Sequence, residues 1–107
     1  MPVPLQPGMF ITNEPGYYEE GFYGIRTESL LAVRLADTRR NFGDGQWLEF
    51  ERVTQVPIDI HLIDWSLLSP EEIVWVRRHN ADVVSAVRPL VAHDTVALRW
   101  LTAQLVH

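Results

Sequence analysis

The sequence has 107 residues, 47% of them hydrophobic and 21% charged, with a formal net charge of -5 and no cysteine. That length fits one small domain or part of a larger one, and the negative balance argues against a nucleic-acid partner. The absence of cysteine excludes disulfides and thiolate-bound metals, so any metal here takes carboxylate or histidine ligands.

In chain order, the proline-rich stretch Val3 to Pro7 reads as an extended lead-in, because proline has no N–H to give to a helix. Gly8 to Asn13 reads as a strand, interrupted by a bulge or bend at Pro15-Gly16. Glu19-Glu20-Gly21 is a turn signal, and Gly24 through Leu35, rich in Ile, Leu and Val, predicts a second strand. A polar loop covers Asp37 to Gly45, and Gln46 to Val53 predicts a third strand. Pro57 to Leu68 is a connection with scattered apolar anchors.

The helical part is more sharply marked. Ser69 caps, Pro70 suits the first helical position and Glu72 completes a capping box. Ile73, Val76, Val83, Val84, Val87 and Leu90 then recur at helical spacing, with Asn80 intruding. After a break between Pro89 and His93, Asp94 caps a last helix carrying Leu98, Leu101 and Leu105. Strands first and helices second predict an α+β fold. Two or three strands behind a proline-rich start leave open edges, so sequence preceding Met1 is expected to complete the sheet. No apolar run spans a bilayer, and Met1 to Pro7 has neither the basic nor the apolar region of a signal peptide. A cytoplasmic location and no membrane partner are expected.

A hairpin centred on Gly21 sets Glu14 opposite Glu28, Gly16 opposite Arg26 and Tyr18 opposite Gly24. Directly opposed residues have Cβ atoms about 4.5–5.5 Å apart, and like charges there repel. Three readings account for two facing carboxylates: both exposed to water, a shared proton, or bridging of divalent cations. Oxygen ligands suit Mn²⁺ and Mg²⁺, and oxygen with imidazole suits Mn²⁺, Zn²⁺ or Co²⁺.

The wording around the pair narrows this. Asn13-Glu14-Pro15-Gly16-Tyr17-Tyr18, followed by Gly24-Ile25-Arg26-Thr27-Glu28, resembles the end of the catalytic domain of Xaa-Pro aminopeptidases (aminopeptidase P), in the pita-bread metallopeptidase family M24. The likeness continues through Trp47-Leu48-Glu49-Phe50-Glu51, Val56-Pro57-Ile58, Leu62-Ile63-Asp64 and Leu67 to Glu72. It implies that residues 1–36 close a pita-bread catalytic domain of antiparallel strands. Residues 37–107 would form its C-terminal extension of a strand, a loop and two helices.

The resemblance also implies a chemistry. Glu14 and Glu28 would be the last two ligands of a site for two divalent ions, Mn²⁺ by expectation. Glu14 would also take the proton of the nucleophile, and Tyr18 and Arg26 would support the ligands. The reaction would be attack by metal-bound hydroxide on the bond between an N-terminal residue and proline. The substrate is then a peptide with proline in second position. Two aspartates and a histidine of the family site precede this segment, so the chain alone is expected to be inactive. Thr27 and Ser29 depart from the usual aliphatic residue and asparagine beside the ligands. His61, His79, His93 and His107 match no ligand position and read as surface or partly packed residues.

The C-terminal region is expected to contribute to a homodimer contact. Trp47, Trp65, Trp75 and Trp100 and the apolar stripe of the first helix offer more surface than a short sheet covers. A structural or dimerisation module without catalysis is the alternative.

Overall fold

The computed structural model describes residues 2–40, 42–43 and 45–105. The chain forms two compact units, Met1–Thr54 and Gln55–His107. Strands fill the first and helices the second, an α+β arrangement.

The first unit contains β1 (Phe10–Asn13), β2 (Gly16–Glu19), β3 (Tyr23–Arg26), β4 (Ser29–Leu35) and β5 (Leu48–Arg52). β1, β4 and β5 form one antiparallel sheet with β4 in the middle, and β2 and β3 form a separate two-stranded ladder. Val33, on the central strand, is buried, the one such residue among those described in this unit. The lead-in is tied to the same strand: Gly8 N donates to Val33 O at 2.9 Å, and Val33 N donates to Met9 O at 2.8 Å. At the other end Leu30 N donates to Thr54 Oγ1 at 2.8 Å.

The long strand predicted from Gly24 to Leu35 is divided in two. Thr27 and Glu28 lie outside regular pairing, as do Glu14 and Pro15 across from them. Pro15 has no N–H to contribute to the ladder. Its carbonyl still accepts from Thr27 N at 3.1 Å. No residue is inserted in the process: partner numbers add to 42 in both the β1–β4 and the β2–β3 ladders. The interruption at Pro15-Gly16 is therefore a break in pairing without a shift of register. Gly21, with φ of 73°, sits in the turn that joins β2 to β3, where Phe22 N donates to Glu19 O at 3.0 Å. A positive φ of this kind costs glycine little.

In the second unit two short 3₁₀ turns, Ile60–Leu62 and Trp65–Leu67, precede α1 (Pro70–Val87) and α2 (Thr95–Ala103). Asp59 and Asp64 start the 3₁₀ turns by accepting from His61 N and Ser66 N. The capping box of α1 is formed in both directions, Glu72 N to Ser69 Oγ at 3.2 Å and Ser69 N to Glu72 Oε2 at 2.7 Å. Asp94 accepts from Val96 N and Ala97 N and starts α2. Helix α1 stops at Val87, and Arg88–Leu90 forms a 3₁₀ turn. Pro89 has no N–H to donate to the carbonyl four residues back, so the α-helical ladder ends here although Arg88 keeps helical angles, φ -47° and ψ -49°. Leu90 consequently leaves the apolar stripe and is exposed.

The core of this unit contains Ile60, Val76, Val83, Val84 and Leu101, and also three polar residues, His79, Asn80 and Gln104. His79 corrects the expectation of a surface or partly packed position, for it is only 2% exposed. Its Nε2 meets Val56 O at 2.8 Å, and its ring stacks on Trp75 with centroids 5.7 Å apart. A carbonyl partner requires that Nε2 carry the proton. Asn80 accepts from Ile58 N at 2.9 Å and donates to Ile58 O at 2.9 Å and to Gln104 O at 3.3 Å. Gln104 Oε1 accepts from Ile60 N at 3.0 Å. These side chains staple the irregular segment 56–59 and the first residue of the 3₁₀ turn that follows, where no ladder satisfies the backbone. His61 and His93 are exposed, and His107 lies outside the described residues.

Candidate metal centre

The shared register carries through the break between the two ladders, so Glu14 faces Glu28 at the point where the first sheet gives way to the hairpin. Glu14, Gly16 and Tyr18 have one parity on their strand, and Gly24, Arg26 and Glu28 have the same parity on the other. Opposed residues of an antiparallel pair share a face, so these six side-chain positions form one strip. Every one of the six is exposed. This is the arrangement expected from a hairpin centred on Gly21.

Tyr18 and Arg26 make direct contact, with Arg26 Nε donating to the Tyr18 hydroxyl at 2.8 Å. The guanidinium carbon lies 5.8 Å from the centre of the Tyr18 ring. The hydrogen bond to Tyr18, the nearness of that hydroxyl and the Glu14 carboxylate hold the Arg26 proton more tightly than in free arginine. Desolvation opposes them and Glu28 adds to them. Arg26 therefore lies within the field of both glutamates, and its single positive charge offsets part of the repulsion between them.

Two further residues of the strip, Gly16 and Gly24, are placed in register by the sequence but given no role by it. A Cβ on Gly16 would sit 2.6 Å from the Tyr18 hydroxyl oxygen, 2.8 Å from Cζ and 2.9 Å from Ile25 O. A Cβ on Gly24 would sit 2.7 Å from Tyr18 Cδ1 and 3.2 Å from Cε1. The Cδ1–Cε1 edge of the Tyr18 ring thus takes the space over Gly24, and its hydroxyl end reaches back over Gly16 to Arg26. The signal available in the sequence was the recurrence of glycine at the parity of Tyr18 on both strands. The opposite face of the hairpin is aromatic: Tyr17 and Tyr23 have ring centres 5.9 Å apart, and Phe22 meets Tyr23 edge-on at 5.1 Å.

Glu14 and Glu28 offer oxygen donors of the kind that Mn²⁺ and Mg²⁺ prefer. Among the described residues no group of three or more acidic or histidine side chains gathers around one point. The donor set present fits one edge of a metal site. A cavity of about 230 Å³ in the second unit, lined by residues that include Ile60, Trp65, Asn80 and Gln104, contains none of the six strip residues.

Comparison with known proteins gives this geometry a family. Residues 1–34 match the model of metallopeptidase family M24, and residues 46–105 match the model of the C-terminal region of peptidase M24. The chain belongs to the M24 metallopeptidase family. A probable Xaa-Pro aminopeptidase P of Laccaria bicolor is 48% identical over 98 residues, covering 92% of this chain and 15% of that protein. Its counterpart in Fusarium vanettenii is 46% identical over 106 residues, covering 96% of this chain and 17% of that protein. Among solved structures, an X-prolyl aminopeptidase from Caenorhabditis elegans, described as a cytosolic enzyme with a di-nuclear active site, superposes with a TM-score of 0.77 at 33% identity. That match covers 94% of this chain and 16% of the nematode enzyme. The chain thus spans roughly a sixth of the length of the M24 proteins it matches. It is a metallopeptidase segment by resemblance, with the family's helical C-terminal region attached.

Proposed function

We propose that this chain supplies Glu14 and Glu28 to the two-metal site of an aminopeptidase that hydrolyses the bond between an N-terminal residue and proline. The observation that carries the reading is the register: two glutamates face each other on one strip, with Arg26 in the field of both. Two divalent ions, Mn²⁺ by preference, would polarise the scissile carbonyl and lower the pKa of water. Glu14 and Glu28 hold them through carboxylate oxygens. Glu14 would also accept the proton of the attacking water, the role that the family resemblance implies for it. Arg26, anchored by the Tyr18 hydroxyl, fixes the orientation and charge balance of the carboxylates, the role outer groups play around metal ligands.

In role, residues 1–36 bring the ligands and residues 37–107 form the extension. Trp75 and Trp100 are about half exposed and Val96 is 76% exposed, apolar surface suited to a homodimer contact. A cytoplasmic enzyme agrees with the absence, among the described residues, of any helix long and apolar enough to cross a membrane. The substrates are peptides with proline second. The 107-residue chain by itself is inactive, since two carboxylates cannot fix the number and geometry of two ions.

The test is hydrolysis by the full-length enzyme with Mn²⁺, using a tripeptide with proline second and its alanine analogue. Cleavage of the proline peptide alone is expected, and none by the 107-residue chain. Equal cleavage of both peptides, or turnover by the short chain, contradicts the proposal. Sedimentation of the full-length protein at micromolar concentration tests the dimer, which a strict monomer would exclude.

A further inference from the structure

We propose that Gly16 and Gly24 are positioning residues, a floor without Cβ atoms on which the Tyr18 ring lies so that its hydroxyl holds Arg26 beside Glu14 and Glu28. The inference rests on the reading of those glutamates as metal ligands and adds the device that aims their support.

An aromatic residue in a two-stranded ladder ordinarily stands off the sheet, kept there by the Cβ of the residue opposite, about 4.5–5.5 Å from its own. Tyr18 has no such neighbour, because the residue opposite is Gly24. Its ring therefore tilts onto the β3 backbone and runs along the strip toward the glutamates. The hydroxyl end passes over Gly16, whose own partner is Arg26. The bond to Arg26 Nε at 2.8 Å follows from this path, and it leaves both Nη nitrogens uncommitted to Tyr18. Within these 107 residues Tyr18 is 60% exposed, and the glycine floor and the hydrogen bond to Arg26 are what fix its ring.

The two glycines differ in a way that makes the idea testable. The close neighbours of a Cβ on Gly24 are atoms of the Tyr18 ring, with Tyr17 O at an ordinary 3.7 Å. A Cβ on Gly16 would also meet Ile25 O at 2.9 Å, a backbone atom that cannot rotate away. A methyl group at position 24 is therefore harmful only while Tyr18 is present. At position 16 it is harmful in either case.

The experiment is a double-mutant cycle in the full-length enzyme. Gly24→Ala, Tyr18→Ala, Tyr18→Phe, Gly16→Ala and the doubles Gly24→Ala/Tyr18→Ala and Gly16→Ala/Tyr18→Ala are compared. The readouts are thermal midpoint without metal, Mn²⁺ affinity by calorimetry, and kcat and KM. Gly24→Ala and Tyr18→Phe are each expected to weaken Mn²⁺ binding and lower kcat by about 10-fold, with KM little changed. Gly24→Ala should add nothing in the Tyr18→Ala background, whereas Gly16→Ala should still lower the midpoint there. A Gly24→Ala protein that fails to fold, but folds once Tyr18 is also alanine, supports the floor equally. Independent, multiplying losses at positions 18 and 24, or a Gly24→Ala enzyme with normal binding and rate, overturn it. A wild-type enzyme that neither binds Mn²⁺ nor cleaves proline peptides overturns instead the functional reading beneath it.

Discussion

The two units of the chain use polar side chains in opposite ways. Along the strip, Glu14, Tyr18, Arg26 and Glu28 are exposed, and Tyr18 and Arg26 are joined by a hydrogen bond. In the helical unit, Asn80 is 1% exposed and its amide makes three bonds to backbone groups. A buried polar group must be satisfied by the protein, since water cannot reach it. A group meant for an ion or a substrate must keep donor or acceptor capacity open until the ligand arrives. On the proposed reading, the open strip would serve a ligand, whereas the closed staples serve the architecture of the helical unit.

The sharpest test of that contrast removes a charge from the strip. Glu14→Gln and Glu28→Gln keep size and lose the charge that attracts a cation. Each is expected to lower the kcat of the full-length enzyme by about 100-fold or more, with the thermal midpoint of the metal-free protein nearly unchanged. A large loss of midpoint with activity retained would move these glutamates to the architectural side.

Removing a staple should do the reverse. Asn80→Ala leaves the N–H and C=O of Ile58 and the C=O of Gln104 without their partner, at a cost of about 3 kcal/mol in denaturant unfolding. Mn²⁺ affinity should be unaffected. A change in affinity comparable to that of Glu28→Gln would break the division of labour between the units.

Smaller effects belong to local caps. Ser69→Ala removes one half of the α1 capping box and should cost about 1 kcal/mol by the same measurement. The smallest effect concerns pH. The backbone N–H of His61, and then its side chain, hold the Asp59 carboxyl below its ordinary value of 3.8. A lowered folded-state pKa means that the contribution is fully present above 3.8 and is lost as pH falls through the folded value. Thermal midpoints recorded between neutrality and acid should therefore decline slightly less steeply for Asp59→Asn than for the wild type. Identical acid limbs would show that this turn adds nothing measurable.

The sequence by itself determined the register about Gly21, the order of strands and helices, and the starts of both helices. Each rests on chemistry within a few residues: a glycine turn, alternation along a strand, a serine or aspartate reaching an N–H two or three residues on. The likeness to the M24 family, likewise, was carried by short runs of residues in order. What needed the tertiary structure is what depends on distant partners. His79 and Asn80 read as a surface or partly packed histidine and an intruder in an apolar stripe, because their partners Val56 and Ile58 lie 23 and 22 residues away. Gln104 meets Ile60 across 44 residues. A polar side chain is welcome in a core only where its complement is waiting, and no window of sequence contains that fact. The same holds for the Tyr18 ring: the glycines beneath it are visible in the sequence, but lying down on them is a matter of space that only the paired strands define.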